Sequence, residues 1–121
     1  MKLLLDAGAD PNERTKGRIT LAHICSLKGH PACLKLLLEQ GADANAKDAN
    51  KSTPLHITAN DSKTECIPLL LEHGAKVGAK DRSGSTPLHL AVRSENKEVI
   101  RALLAGGAEV TARDAALNTP L

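Results

Sequence analysis

Thr53-Pro54-Leu55-His56, with Leu69-Leu70-Leu71 and Gly74-Ala75 downstream of it, is the stretch on which the reading of this chain turns. The same pattern returns 33 residues later as Thr86-Pro87-Leu88-His89, Leu103-Leu104 and Gly107-Ala108. It stands 33 residues earlier as Thr20-Leu21-Ala22-His23, Leu36-Leu37-Leu38 and Gly41-Ala42. Gly8-Ala9 carries the glycine marker one step further back, and Thr119-Pro120-Leu121 begins the threonine marker again. Three independent markers on one step describe a repeat array, in which each unit is one supersecondary element stacked on the next.

Each unit reads as two helices. Thr53 and Thr86 are good N-caps, and Pro54 and Pro87 then occupy the first helical position, where a missing N–H costs nothing. A short helix follows, Leu55 to Asp61 in the middle unit. Ser62-Lys63-Thr64-Glu65 reads as a capping box that opens a second helix over about 63–72, with Cys66, Ile67, Leu69, Leu70 and Leu71 at helical spacing. Gly74 ends it in the left-handed conformation, and the polar segment 75–85 reads as a turn or hairpin leading to the next unit. The expected full repeats are 15–47, 48–80 and 81–113, with 1–14 the end of one partial repeat and 114–121 the start of another. Both ends read as cut, which suggests a piece of a longer array.

Composition narrows the function classes. The 121 residues include no Phe, Tyr or Trp, so the core must be built from Leu, Ile, Val and Ala in thin layers of closely packed helices. Sixteen Lys and Arg against 14 Asp and Glu leave a net charge of +2, too near neutral to imply a nucleic-acid partner. No apolar run approaches the roughly 20 residues of a membrane span. Met1-Lys2-Leu3-Leu4-Leu5-Asp6 is too short an apolar start for a signal peptide. Three cysteines without metal-type spacing read as reduced thiols, placing the protein inside the cell, in cytoplasm or nucleus.

The threonine-proline-leucine-histidine motif, the leucine-rich second helix and the Gly-Ala step of 33 together resemble the ankyrin repeat over the whole chain. The resemblance implies an all-α solenoid of stacked helix-turn-helix units with connecting hairpin turns. It also implies a non-catalytic module, monomeric and without cofactor, that binds another protein through its turn tips and first-helix face. The matching positions are Lys16, Gly17, Ile19, Leu27 and Lys28 in the first full repeat. In the second they are Ala49, Asn50, Ser52, Asn60 and Asp61, and in the third Arg82, Ser83, Ser85, Arg93 and Ser94. Arg82 and Arg93 are the strongest expected contacts, since interface hot spots favour Trp, Tyr and Arg. Structural spacer repeats, or a regulatory segment of a larger enzyme, stand as alternatives. In the family the motif histidine, here His23, His56 and His89, ties the turn and neighbouring repeats together. Many ankyrin repeats are hydroxylated at the asparagine matching Asn45 and Asn12; the alternative is a turn asparagine bonding its own backbone.

Nothing in the sequence assembles chemistry. Catalytic and phosphate-binding motifs are missing, and histidines placed one per repeat form a row instead of converging on a metal. Cys33 and Cys66 share a register with Val99, a small buried apolar site, and Cys25 falls on a first helix. Counted by repeat, the charge is +3 over 15–47, balanced over 48–80 and +1 over 81–113. The first repeat could thus prefer an acidic partner, or simply present a solvated face. In that same repeat Leu21-Ala22 replaces Pro-Leu, so Leu21 or Ile19 must fill part of the layer. Pro68 falls about five residues into the expected second helix, where an interior proline costs about 3 kcal/mol unless the first turn unwinds.

Overall fold

The computed structural model describes residues 10–61 and 64–110. Among these there are six helices and no strand. They are α1 (Leu21–Lys28), α2 (Pro31–Glu39), α3 (Pro54–Asp61), α4 (Cys66–Glu72), α5 (Pro87–Arg93) and α6 (Lys97–Ala105). The first helices α1, α3 and α5 stack in one layer, the second helices α2, α4 and α6 in another, and each first helix packs on its own second helix. This is the all-α stacked architecture expected from the step of 33.

The core lies between the two layers. Leu34, Leu37, Leu55, Ile67, Leu70, Leu88, Val99 and Leu103 are all fully buried there. The first helices contribute the small residues Ala22, Ala59 and Ala91, which let their backbones approach closely. Leu21 packs against the core, whereas Ile19 lies over Gly17 and stays exposed, so Leu21 is the residue that compensates for Ala22. Cys25 and Cys66 are buried, Cys33 is half-buried, and none of the three forms a disulfide. Burial, with the neighbouring thiols of Cys33 and Cys66, pushes the Cys25 thiol up to about 11, so it remains protonated.

The Gly-Ala marker has a geometric cause. Gly41, Gly74 and Gly107 take φ of 97°, 85° and 96°, which an L side chain rarely adopts. Each reversal lets the following alanine N–H reach back to a helix carbonyl: Ala42 to Leu37 at 2.9 Å, Ala75 to Leu70 at 2.9 Å and Ala108 to Leu103 at 3.0 Å. The glycine N–Hs donate to Leu38, Leu71 and Leu104 in the same way. Both bonds of the Schellman motif are therefore made at every second helix, and otherwise orphaned carbonyls are satisfied.

The middle unit departs from expectation. Its second helix opens at Cys66 instead of near residue 63, with Glu65 as N-cap and no capping side chain. Ser62 and Lys63, half of the expected capping box, lie outside the described residues. Pro68 consequently occupies the third helical position, within the first turn, where backbone N–Hs need no intrahelical partner. The Thr64 carbonyl, to which Pro68 has no N–H to donate, accepts from Ile67 N–H at 3.2 Å, an i→i−3 bond. The equivalent N–Hs of Leu34 and Ile100 make ordinary i→i−4 bonds, to His30 and Asn96 at 3.0 Å. Pro68 shortens its helix without straining its interior.

Candidate protein-binding face

The hairpins are built from short polar segments. Asp48 N–H donates to the Ser52 carbonyl at 3.0 Å, and Lys51 N–H to the Asp48 carbonyl at 2.9 Å. The Asp48 carboxylate accepts from the N–Hs of Asn50 (2.8 Å) and Ser52 (3.0 Å) inside the turn. Asp81 repeats this arrangement with Ser83, Gly84 and Ser85. Thr15 closes the first hairpin against Arg18 and Ile19. The turn needs a left-handed residue, supplied by Gly84 at φ 74° but by Arg18 and Lys51 at φ 60° in the other two hairpins.

Successive hairpins are joined tip to tip. Ala49 N–H donates to the Gly17 carbonyl and Arg82 N–H to the Asn50 carbonyl, both at 2.9 Å. The row is locked to the helices beneath it by the motif histidines. His23 Nδ1 accepts from the Thr20 N–H (3.1 Å) and lies 2.9 Å from Thr20 Oγ1. Nε2–H, the remaining donor, reaches the Ser52 carbonyl at 2.8 Å, in the next hairpin. His56 does the same between Thr53 and Ser85, and His89 makes the same contacts to Thr86. The acceptor role of Nδ1 requires the neutral ring, and burial pushes both His23 and His56 below the ordinary histidine range, outweighing the opposing hydrogen bonds to Ser52 and Ser85.

A second tie joins the successive loops that follow the second helices. Asn45 accepts from Lys76 N–H at 2.8 Å and donates through Nδ2 to the Gly74 carbonyl at 2.9 Å. Asn12 makes the same pair of bonds to Asp43 N–H (2.7 Å) and the Gly41 carbonyl (3.1 Å). Both side chains thus clamp the next loop. Their own backbone N–Hs are held by Asp43 and Asp10. Gly78 holds the matching place one step on, and Val77, Gly78, Gly107 and Glu109 line an open pocket where an amide would sit.

Most of the expected contact positions are exposed: Lys16, Ile19, Leu27, Lys28, Ala49, Asn50, Asn60, Arg82, Ser83, Arg93 and Ser94. Gly17 and Ser52 are half-buried. Ser85 is a correction: it is fully buried at the hairpin base, with its carbonyl held by His56 and its hydroxyl unpartnered, so its side chain is not part of the face. Asp61 closes α3, and its side chain lies outside what is described. Arg82 lies along the row, donating to the Ala49 carbonyl at 2.6 Å. Sequence reading missed Ile24, which is 38% exposed beside Ile19 at 37% and Leu27 at 50%. Its register mates Ile57 and Leu90 are half-buried within the stack, and only the internal alignment of the helices could have flagged the difference.

Among the described residues no group of three or more His, Cys, Asp or Glu is placed to hold a metal ion, and no helix is long and apolar enough to cross a membrane. No curated protein matches the chain closely enough to count as a relative. The family model described as ankyrin repeats (3 copies) matches residues 21–114, most of the chain. A second, ankyrin repeats (many copies), matches residues 1–38. With the step of 33, the paired helices and the histidine ties already in place, the chain belongs to the ankyrin repeat family.

Proposed function

We propose that this chain is a non-catalytic module that binds another protein through its hairpin tips and the exposed side of its first helices. Ankyrin repeats are generally protein-interaction modules. The observation that carries the reading here is the tip-to-tip hydrogen bonding of the hairpins, which fixes a continuous row of side chains before any partner arrives. Preorganisation of this kind lowers the ordering cost of binding. Lys16, Leu27, Lys28, Asn50, Asn60 and Arg93 are exposed along this row or at the helix ends beneath it. With Ile19 and Arg82 they form the contact set, and the absence of aromatic anchors sets a modest affinity for this segment alone.

The test is capture of a partner from cell extract by the full chain. Joint replacement of Arg82 and Arg93 by Ala should abolish capture, while joint replacement of Lys35 and Arg101 on the second helices should not. Capture of no partner would favour the spacer reading, in which the face touches nothing, and equal capture by both variants would put the contact elsewhere on the chain.

A further inference from the structure

The net charge of +2 conceals a segregation by face. Residues 16–28, 49–61 and 82–94, the hairpin tips and first helices, carry Lys16, Arg18, Lys28, Lys51, Arg82 and Arg93 against a single acid, Asp61. All six cations are exposed. Asp48 and Asp81 sit at the hairpin bases, half-buried, each with a carboxylate oxygen already accepting two backbone N–Hs. Even with both counted, the cations outnumber the acids two to one. Among the described residues, the second helices and their loops, residues 29–47, 64–80 and 95–110, instead carry six cations against seven acids. Solubility needs charge but not segregation, and the mixed second-helix side shows that this chain meets that need with interspersed signs.

The cations are also ordered in space. Lys16, Arg18, Lys51 and Arg82 lie along the hydrogen-bonded tips, and Lys28 and Arg93 end α1 and α5. Ile19 and Leu27, both well exposed, add an apolar contact at the first unit. A partner meeting this face has to bring negative charge along the row of tips and an apolar group near Ile19 and Leu27.

We infer that the partner presents an acidic peptide segment with interspersed aliphatic side chains, laid across the hairpin tips. The inference rests on the binding face proposed above and names the chemistry of what occupies it. Exposed charge pairs are screened by salt, so the complex must weaken as ionic strength rises.

The experiment uses the full chain and four fluorescent probes: an unstructured Glu/Leu peptide, its Gln/Leu and Lys/Leu counterparts, and a single-stranded oligonucleotide of similar charge. Fluorescence anisotropy at 0.05 M salt should show binding of the Glu/Leu peptide only, weakened about tenfold or more at 0.5 M salt. Joint Lys16→Glu, Lys28→Glu and Lys51→Glu should weaken it about tenfold or more, each exposed pair adding a modest share. Joint Lys35→Glu and Arg101→Glu should leave it unchanged. Circular dichroism checks that the variants fold, and single Lys51→Gln, expected to weaken binding by a few-fold, decides the matter if the triple variant does not. No binding of the Glu/Leu peptide, equal binding of the Gln/Leu peptide, or tighter binding of the oligonucleotide would overturn the acidic-peptide inference. If those results came with partner capture still abolished by the triple variant, the face would stand and only its chemistry would fail. If the triple variant left capture intact, the face itself would be wrong.

Discussion

The threonine–histidine relay at the base of the inner layer, beneath the hairpins, repeats almost atom for atom; the second helices of the outer layer do not keep one length, nor their loops one clamp. Thr20 with His23, Thr53 with His56 and Thr86 with His89 make the same contacts, the backbone bonds at 3.0 to 3.1 Å and the side-chain pairs at 2.9 Å. Outside, α2 and α6 have nine residues each while α4 has seven, and the clamp made by Asn12 and Asn45 gives way to Gly78. The difference follows from solvation. The threonines and histidines are buried, so each polar group left unpaired would cost about 1–3 kcal/mol. The asparagine clamps and the first turn of α4 lie near water, which can replace a lost partner.

The sharpest way to break the comparison is to remove an inner-layer histidine. His56→Ala strips partners from the Thr53 N–H, the Thr53 hydroxyl and the Ser85 carbonyl at once, and leaves a cavity. A loss of about 3 kcal/mol or more is expected in urea unfolding. A loss under about 1 kcal/mol would show that the relay does not control the inner layer.

Acid should reach the same layer without mutation. His23 and His56 are held neutral in the fold, below their unfolded value of about 6.5. The unfolded chain therefore binds more protons as pH falls. The stability contributed by the neutral rings is complete above pH 6.5 and is lost as pH drops below it towards the folded-state values. Each histidine can contribute a slope of up to about 1.4 kcal/mol per pH unit. Melting temperatures at pH 7.5 and 5.5 measure this, and no decrease at the lower pH would contradict the neutral-histidine geometry.

The outer layer should respond more gently, and in both directions. Asn45→Ala should cost about 1 kcal/mol, the net worth of its exposed bonds to Gly74 and Lys76. Gly78→Asn should restore the clamp at the junction that lacks it and gain up to about 1 kcal/mol. Open space surrounds the added Cβ, and the backbone there is not left-handed. Thermal melts of the two variants should move in opposite directions; movement in the same direction would mean that the clamp carries no stability.

The smallest effect belongs to Pro68. Its place in the first turn of α4 leaves little strain to relieve, so Pro68→Arg should gain less than about 1 kcal/mol, with α4 extending towards Thr64. A gain near the 3 kcal/mol of an interior proline would show that the helix is strained after all.

The legible and illegible parts divide along the same line. Caps, glycine reversals and the step of 33 are local signals, and they located the helix pairs and the histidine ties. The start of α4 was not legible, because Ser62-Lys63-Thr64-Glu65 satisfies a capping pattern while Pro68 favours a later start, and only tertiary packing decides between them. Ser85 was misread because burial at its register changes along the stack: Ile19 is exposed, Ser52 half-buried and Ser85 fully buried. The asparagine clamp was not legible either, since the groups that Asn12 and Asn45 bind lie 29 to 31 residues away. The basic face was hidden because charge was counted along the chain, repeat by repeat, while the fold sorts it across the chain, helix by helix.

Gly78 also bears on how the solenoid answers to force. Tension along the stacking axis is carried at each junction by every bond that crosses it, the hairpin tips, the motif histidines and the asparagine clamps among them. The tips are bonded at both junctions between the three helix pairs. Between the loops, Asn45 bridges the first of these junctions, while Gly78 has no side chain with which to make the same clamp at the second. An amide restored at Gly78 should therefore raise the force needed to part the middle helix pair from the third, measured by pulling on the two ends of the chain, and leave the first junction as it is.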